Sequence, residues 1–258
     1  VRARFAFLDH PGPIAFAHRG GSAEGPENTV ASFAHAISLG YRYLETDVHA
    51  TSDGVVAVIH DPMLDRVSDR QGLVSSLSWS EVAGAELTDG QRVPRFDELL
   101  ERWPAARWNV DAKSDAVVEP LAEVIRRADA VERVCVTSFS DARLRRIRTL
   151  VGPDLCTGMG PRSLTALRFD GVLPFFPCRP NFQAFGACQV PVRWGPLTVI
   201  DRRFVDHAHH LGLGVHAWTI DAEQEMHRLL DLGVDGIMTD HPSRLRQVLL
   251  ARQQWVEP

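Results

Sequence analysis

A chain of 258 residues, 45% of them hydrophobic, can bury a substantial core, and its length suits one barrel-sized domain. The formal charge of −5 gives no general attraction for nucleic acid or for an anionic membrane surface. No apolar stretch approaches the roughly 20 residues a membrane helix needs, so no stable membrane insertion is expected.

The first ten residues carry arginines, but Asp9 and His10 cut their apolar run, and no signal-peptide core is read there. The cysteines, Cys135, Cys156, Cys178 and Cys188, show no metal-ligand spacing. Cys135, Cys156 and Cys188 fall in predicted strands, where buried free thiols are expected, and a cytoplasmic setting fits them.

Taken in order, strand-like runs alternate with helix-like ones. The first run, 14–17, ends on His18-Arg19-Gly20. Pro26-Glu27 precedes Asn28-Thr29, a capping pair for a helix that runs to Leu39 and stops at Gly40. A second strand, 43–50, carries Glu45 and Asp47. Strand side chains alternate, so these two carboxylates project from one face. Thr51-Ser52-Asp53-Gly54 reads as a hairpin turn into a third run that ends on His60-Asp61. Buried carboxylates side by side repel unless a cation sits between them. The stretch therefore points to a metal site flanked by an acid–base pair.

These residues also carry a resemblance. His18-Arg19-Gly20, Pro26-Glu27-Asn28-Thr29, Glu45-Thr46-Asp47-Val48, Asp53-Gly54 and His60-Asp61 follow one another like the signature of the glycerophosphodiester phosphodiesterase family. Five elements in order make a specific pattern, and weaker features similar to the family run on to Asp240. The resemblance implies hydrolysis of small-molecule glycerophosphodiesters to glycerol 3-phosphate and an alcohol. The family's usual third metal ligand resembles a glutamate where this chain has Asp111, one methylene shorter.

Residues 62–106 are the least regular section and read as a small insertion over the barrel mouth with no core of its own. Within it Ser78 and Glu81 form a capping-box pattern, and Pro94 precedes a helix over 95–102. The next strand, 107–113, puts Asn109, Asp111 and Lys113 on one face. A polar face on a strand buried on both sides demands a reason. Helix 117–130, strand 134–138, helix 141–150, strand 155–158 and helix 163–169 follow. The stretch 171–196, rich in proline and aromatics, holds one candidate strand, 187–192. Helix 202–211, strand 215–220, helix 222–232 and strand 236–239 complete the series. Eight main strands, with the run over 55–60 as an excursion beside the mouth, predict an α/β (β/α)8 barrel spanning 1–258 as a single domain.

Chemistry in such barrels sits at the C-terminal strand ends, where His18, Glu45, Asp47, Asp111, Lys113, Trp218 and Asp240 fall. Glu45, Asp47 and Asp111 are the expected ligands of a hard divalent cation, Mg²⁺ or Ca²⁺. The competing arrangement is an internal salt-bridge set with Lys113 and Arg19 that needs no metal. His18 and His60 are the expected acid–base pair, Arg19 and Lys113 the phosphate contacts, and Trp218 a wall of the alcohol pocket. His49 shares the face of Glu45 and Asp47 and ranks below the other two histidines. Asn28 and Thr29 are adequately explained by helix capping. Two other readings stand beside this one. A related phospholipase D-type enzyme acting on lipids would want an apolar rim, for which 173–185 is the candidate. A non-catalytic sensor would bind phosphodiesters without cleaving them.

Overall fold

Short parallel strands, apolar on their outer faces, supply the frame; the computed structural model describes it within residues 4–87, 90–170 and 180–257. The strands are β1 (Ile14–Ala17), β2 (Tyr43–Ala50), β3 (Val56–Val58), β4 (Arg107–Ala112), β5 (Val134–Thr137), β6 (Cys156–Thr157), β7 (Ala187–Val190), β8 (Arg193–Trp194), β9 (Leu197–Thr198), β10 (Gly214–Ala217) and β11 (Gly236–Thr239). The helices are α1 (Val30–Ser38), α2 (Trp79–Ala83), α3 (Phe96–Arg102), α4 (Val118–Arg127), α5 (Asp141–Val151), α6 (Pro161–Phe169), α7 (Arg202–His210), α8 (Glu223–Leu232) and α9 (Pro242–Ala251). Eight strands run in the order β6-β5-β4-β2-β1-β11-β10-β7, each parallel to its neighbour. A parallel bridge between Gly158 and Ala187 joins the two ends of that order, giving the expected (β/α)8 barrel. The run after Gly54 pairs antiparallel with β2, as the excursion predicted.

Alternation sorts each strand's side chains between two environments. Leu44, Val48, Trp108 and Val110 face outward and are buried with Phe33 of α1, Leu99 of α3 and Leu121 of α4. Inward residues fill the barrel in layers. At the N-terminal end Phe5 and Phe7 pack with Phe16, Tyr43, Cys156 and Met238. The Tyr43 hydroxyl donates to the Phe7 carbonyl at 2.8 Å, fixing that plug. Above it, Asn109 and Gln189 exchange amide hydrogen bonds at 3.1 and 2.7 Å, and Gln189 reaches His216 Nδ1 at 3.3 Å. Asn109 on the polar face of β4 thus finds its partner across the barrel. Cys135, Cys156 and Cys188 are buried free thiols, while Cys178 lies outside the described residues.

Three expectations change. Residues 62–106 do contain a small core: Leu64, Val74, Val82, Ala85 and Val93 are buried together with Ala57 and Ile59. The far end of that segment belongs to the barrel, since Phe96, Leu99 and Leu100 of α3 join the main core. β10 ends at Ala217, three residues short of the predicted strand, so Trp218 follows the strand instead of lying within it. Beyond the last predicted element, α9 buries Leu245, Val248 and Leu249 at helical spacing. Among the described residues no helix is long and apolar enough to cross a membrane.

Candidate active site

Strand register brings the charged residues together. Glu45 lies beside Asn109 and Asp47 beside Asp111 in the β2–β4 pairing, so the carboxylates share the inner face at the C-terminal end. His18 and Arg19 enter from the turn after β1. That turn has positive φ at Arg19, Gly20 and Gly21, 51°, 82° and 100°. A Cβ on Gly20 would stand 2.5 Å from Ser32 Oγ, so α1 packs where only glycine fits. The turn aims the Arg19 N–H at Glu45 Oε2, 3.0 Å away.

The carboxylates meet unequal shares of positive charge. Lys113 Nζ bridges Asp47 Oδ1 at 2.8 Å and Asp111 Oδ2 at 2.7 Å. Arg19 Nε lies 3.2 Å from Asp47 Oδ2 without the alignment of a hydrogen bond. Asn28 Nδ2 donates to that same oxygen at 3.0 Å, and Asn28 Oδ1 accepts from the Thr46 hydroxyl at 2.7 Å. Burial alone would raise Asp47, but Lys113 and Arg19 hold it below the usual carboxylate range. Burial and then the Asp47 charge push Glu45 up to about 7. Asp111 Oδ1 is buried with no hydrogen-bond partner.

Carboxylate oxygens are the donor type that a hard divalent cation takes. Three carboxylate groups converge, one is short of positive charge, and one has an orphaned oxygen. Lys113 occupies the space between Asp47 and Asp111, and among the described residues no group of three or more His, Cys, Asp or Glu side chains is arranged to hold a metal ion. The salt-bridge set weighed from sequence is thus present for Asp47 and Asp111, while Glu45 stands outside it.

Both histidines are held by carboxylates. His18 Nδ1 lies 2.6 Å from Asp240 Oδ1, which also accepts from Ser22 Oγ at 2.5 Å. His18 Nε2 is 3.7 Å from Glu45 Oε2. Burial would lower the His18 pKa, but Glu45 and Asp240 together raise it. His60 Nδ1 lies 2.6 Å from Asp61 Oδ1. In each couple Nδ1 faces the carboxylate, which leaves Nε2 for chemistry.

A cleft of ≈ 500 Å³ opens over these groups. His18, Arg19, Glu45, Asp47, His60, Asp111, Lys113 and Trp218, every site residue predicted from sequence, line it. Its other wall is apolar, with Met159, Leu164, Pro191, Leu197 and Val199. Phe139 and Trp194 stand 59% and 67% exposed at its edge, so the apolar rim comes from the loop after β5 and the β8–β9 hairpin. Of the rim predicted over 173–185, residues 173–179 lie outside the described residues, and Phe185 is buried. His49 does not line the cleft; its Nε2 meets the His60 carbonyl at 3.2 Å. Sequence reasoning missed Glu27, Asn28, Asp61 and Asp240 as partners. Thr29 alone caps α1, accepting from the Ser32 N–H, so capping does not account for Asn28. The signal for Asp61 and Asp240 was their place in or after the motif, but their partners are set by folding.

The profile of the glycerophosphoryl diester phosphodiesterase family matches residues 18–244. The chain belongs to that family. It is therefore an enzyme, a phosphoric diester hydrolase. It is 39% identical over 259 residues to "Probable glycerophosphodiester phosphodiesterase 2" of Mycobacterium tuberculosis, covering 96% of this chain and 95% of that one. A human lysophospholipase D is 29% identical, with 90% of this chain and 84% of that one covered. Among solved structures, an Oleispira antarctica phosphodiesterase in complex with the product sn-glycerol-3-phosphate has the same fold. It gives a TM-score of 0.77 at 21% identity, covering 92% of this chain and 97% of that one.

Proposed function

We propose that the protein hydrolyses glycerophosphodiesters to glycerol 3-phosphate and an alcohol, with His18 and His60 moving the protons. The observation that carries this reading is the presence of two His–Asp couples beside one cleft that also holds Arg19, Lys113 and three carboxylates. The relatives named glycerophosphodiester phosphodiesterases, and the product bound in the Oleispira protein, support the substrate class.

Arg19 and Lys113 face the cleft and bind the phosphate, the guanidinium by its planar fork and the ammonium as a point charge. Glu45, Asp47 and Asp111 are the residues that would hold Mg²⁺ or Ca²⁺, which when bound stabilises negative charge on a nonbridging phosphate oxygen. One histidine takes the proton of the attacking oxygen and the other gives a proton to the leaving alcohol. Attack by water yields the products directly. Attack by the glycerol 2-hydroxyl yields a cyclic phosphate that water opens. Trp218, edge-on to Phe139 at 6.0 Å between ring centres, forms the wall beside the alcohol.

A second reading is a phosphodiester that bears an alkyl chain. The apolar wall, and the exposed Phe139 and Trp194 beside it, favour it over a purely polar substrate. The human relative carries the name lysophospholipase D.

Purified protein incubated with glycerophosphocholine, with Mg²⁺ or Ca²⁺ and then with a chelator, tests the proposal. Release of glycerol 3-phosphate that the chelator abolishes is the expected result. No release with either cation overturns the substrate assignment, and undiminished release under chelation overturns the metal.

A further inference from the structure

Arg66 has no part in the chemistry above and does not line the cleft. It lies on the segment between β3 and α2, close to the end of the His60-Asp61 motif. Its Nε donates to Asp61 Oδ2 at 2.5 Å, while Nη1 and Nη2 donate to Glu27 Oε2 and Oε1 at 3.0 and 2.6 Å. Each carboxylate holds a cleft residue in turn. Asp61 Oδ1 lies 2.6 Å from His60 Nδ1, and Glu27 accepts from Arg19 Nη1 with both oxygens at 3.4 Å. One guanidinium therefore links two carboxylates whose other partners are His60 and Arg19.

We infer that Arg66 is a positioning residue that holds His60, through Asp61, and Arg19, through Glu27, in one fixed arrangement. The inference rests on the roles proposed above for His60 and Arg19. An isolated ion pair at the surface contributes little, and the Arg66 side chain is 49% exposed. This pairing differs in geometry. A planar fork that is bidentate to one carboxylate and also bonded to another has no slack, unlike a single flexible contact. The backbone is fixed as well: Leu64, two residues earlier, is fully buried, and its N–H donates to the Gly72 carbonyl at 3.0 Å. The small core of this segment thereby acquires a purpose, as the support for the turn that delivers Arg66. Arg66's hydrogen bond draws Asp61 down to about 2, and it also holds Glu27 low against the effect of burial. Both carboxylates stay ionised and able to hold their partners.

Substitution of each arm separates this from a merely structural role. Asp61→Asn should mainly lower kcat, Glu27→Gln should mainly raise KM, and Arg66→Ala should do both. Misplacing a reacting group by about 1 Å can cost about 10²-fold, so kcat/KM of Arg66→Ala should fall by about 10- to 100-fold. Arg66→Lys should recover only part of that, since an ammonium cannot span both carboxylates in one plane. The melting temperature should fall no further than in Arg126→Ala, which also removes an exposed ion pair. Independently of turnover, the Nδ1 proton resonance of His60 should be protected in the wild type and exchange faster in Arg66→Ala. Affinity for glycerol 3-phosphate should fall in Glu27→Gln. Wild-type kinetics together with an unchanged His60 resonance in folded Arg66→Ala would overturn the inference. Should wild type fail to cleave glycerophosphocholine, the proposed function falls, and the resonance and the affinity alone decide the positioning. Should Arg66→Ala not fold, the two carboxylate variants decide: no split between kcat and KM overturns it.

Discussion

Arg19 contributes to the site through both backbone and side chain. Its left-handed backbone, which costs a non-glycine residue roughly 1–2 kcal/mol, is what turns its N–H onto Glu45 while its guanidinium reaches Asp47 and Glu27. Lysine would keep the charge and the backbone hydrogen bond but lose the planar fork. Arg19→Lys should therefore lower kcat/KM by about tenfold or more, the loss of a charge-assisted hydrogen bond of about 1.5–3 kcal/mol, with little change in melting temperature. Steady-state kinetics that match the wild type would show that Arg19 is no phosphate clamp. His18, Glu45, Asp47, His60 and Asp111, which line the cleft, were legible because each closes or alternates along an apolar run. Their partners were not. Asp240 meets His18 across 222 positions of sequence, and Asn28 looked like a helix cap until its amide proved to lie between Asp47 and Thr46.

Among the elements, periodicity served well where strands and helices are long enough to show it and failed where bridges do the holding. The segment after β3 is tied by single antiparallel bridges, Met63 with Leu73, Ser68 with Leu87 and Glu86 with Arg92, so it shows no repeating apolar pattern to read. β8 and β9 are two residues each, too short for alternation, yet their hairpin places Trp194 and Leu197 at the cleft edge. This hairpin sets up a test of the alkyl-chain reading. Trp194→Ser should leave glycerophosphocholine hydrolysis within about twofold and lower kcat/KM for a single-chain lysophospholipid by about 10-fold, since one buried apolar side chain contributes about 1.5–3 kcal/mol. Equal effects on both substrates would mean that the rim does not contact a chain.

Across the whole molecule, the chemistry at one end of the barrel sits above a polar layer that also governs stability. His216 lies fully buried in that layer, and burial pulls it down from 6.5 to about 4. Between those values the unfolded chain takes up a proton that the folded chain refuses, so stability falls as pH falls through that window. The two limits are worth on the order of 3 kcal/mol. His216→Gln should flatten the loss of melting temperature between about pH 6.5 and pH 4, and parallel curves would contradict that origin of acid sensitivity. The barrel itself was legible from eight strand-like runs, because burial on both faces leaves each strand apolar except where the site interrupts it. The central claim, that His18 and His60 carry the protons of phosphodiester hydrolysis, is tested most directly by the turnover of His18→Asn and His60→Asn on glycerophosphocholine. General acid–base catalysis contributes about 10²- to 10⁴-fold, so each folded variant should lose turnover on that scale, whereas near-normal turnover in either would contradict the account.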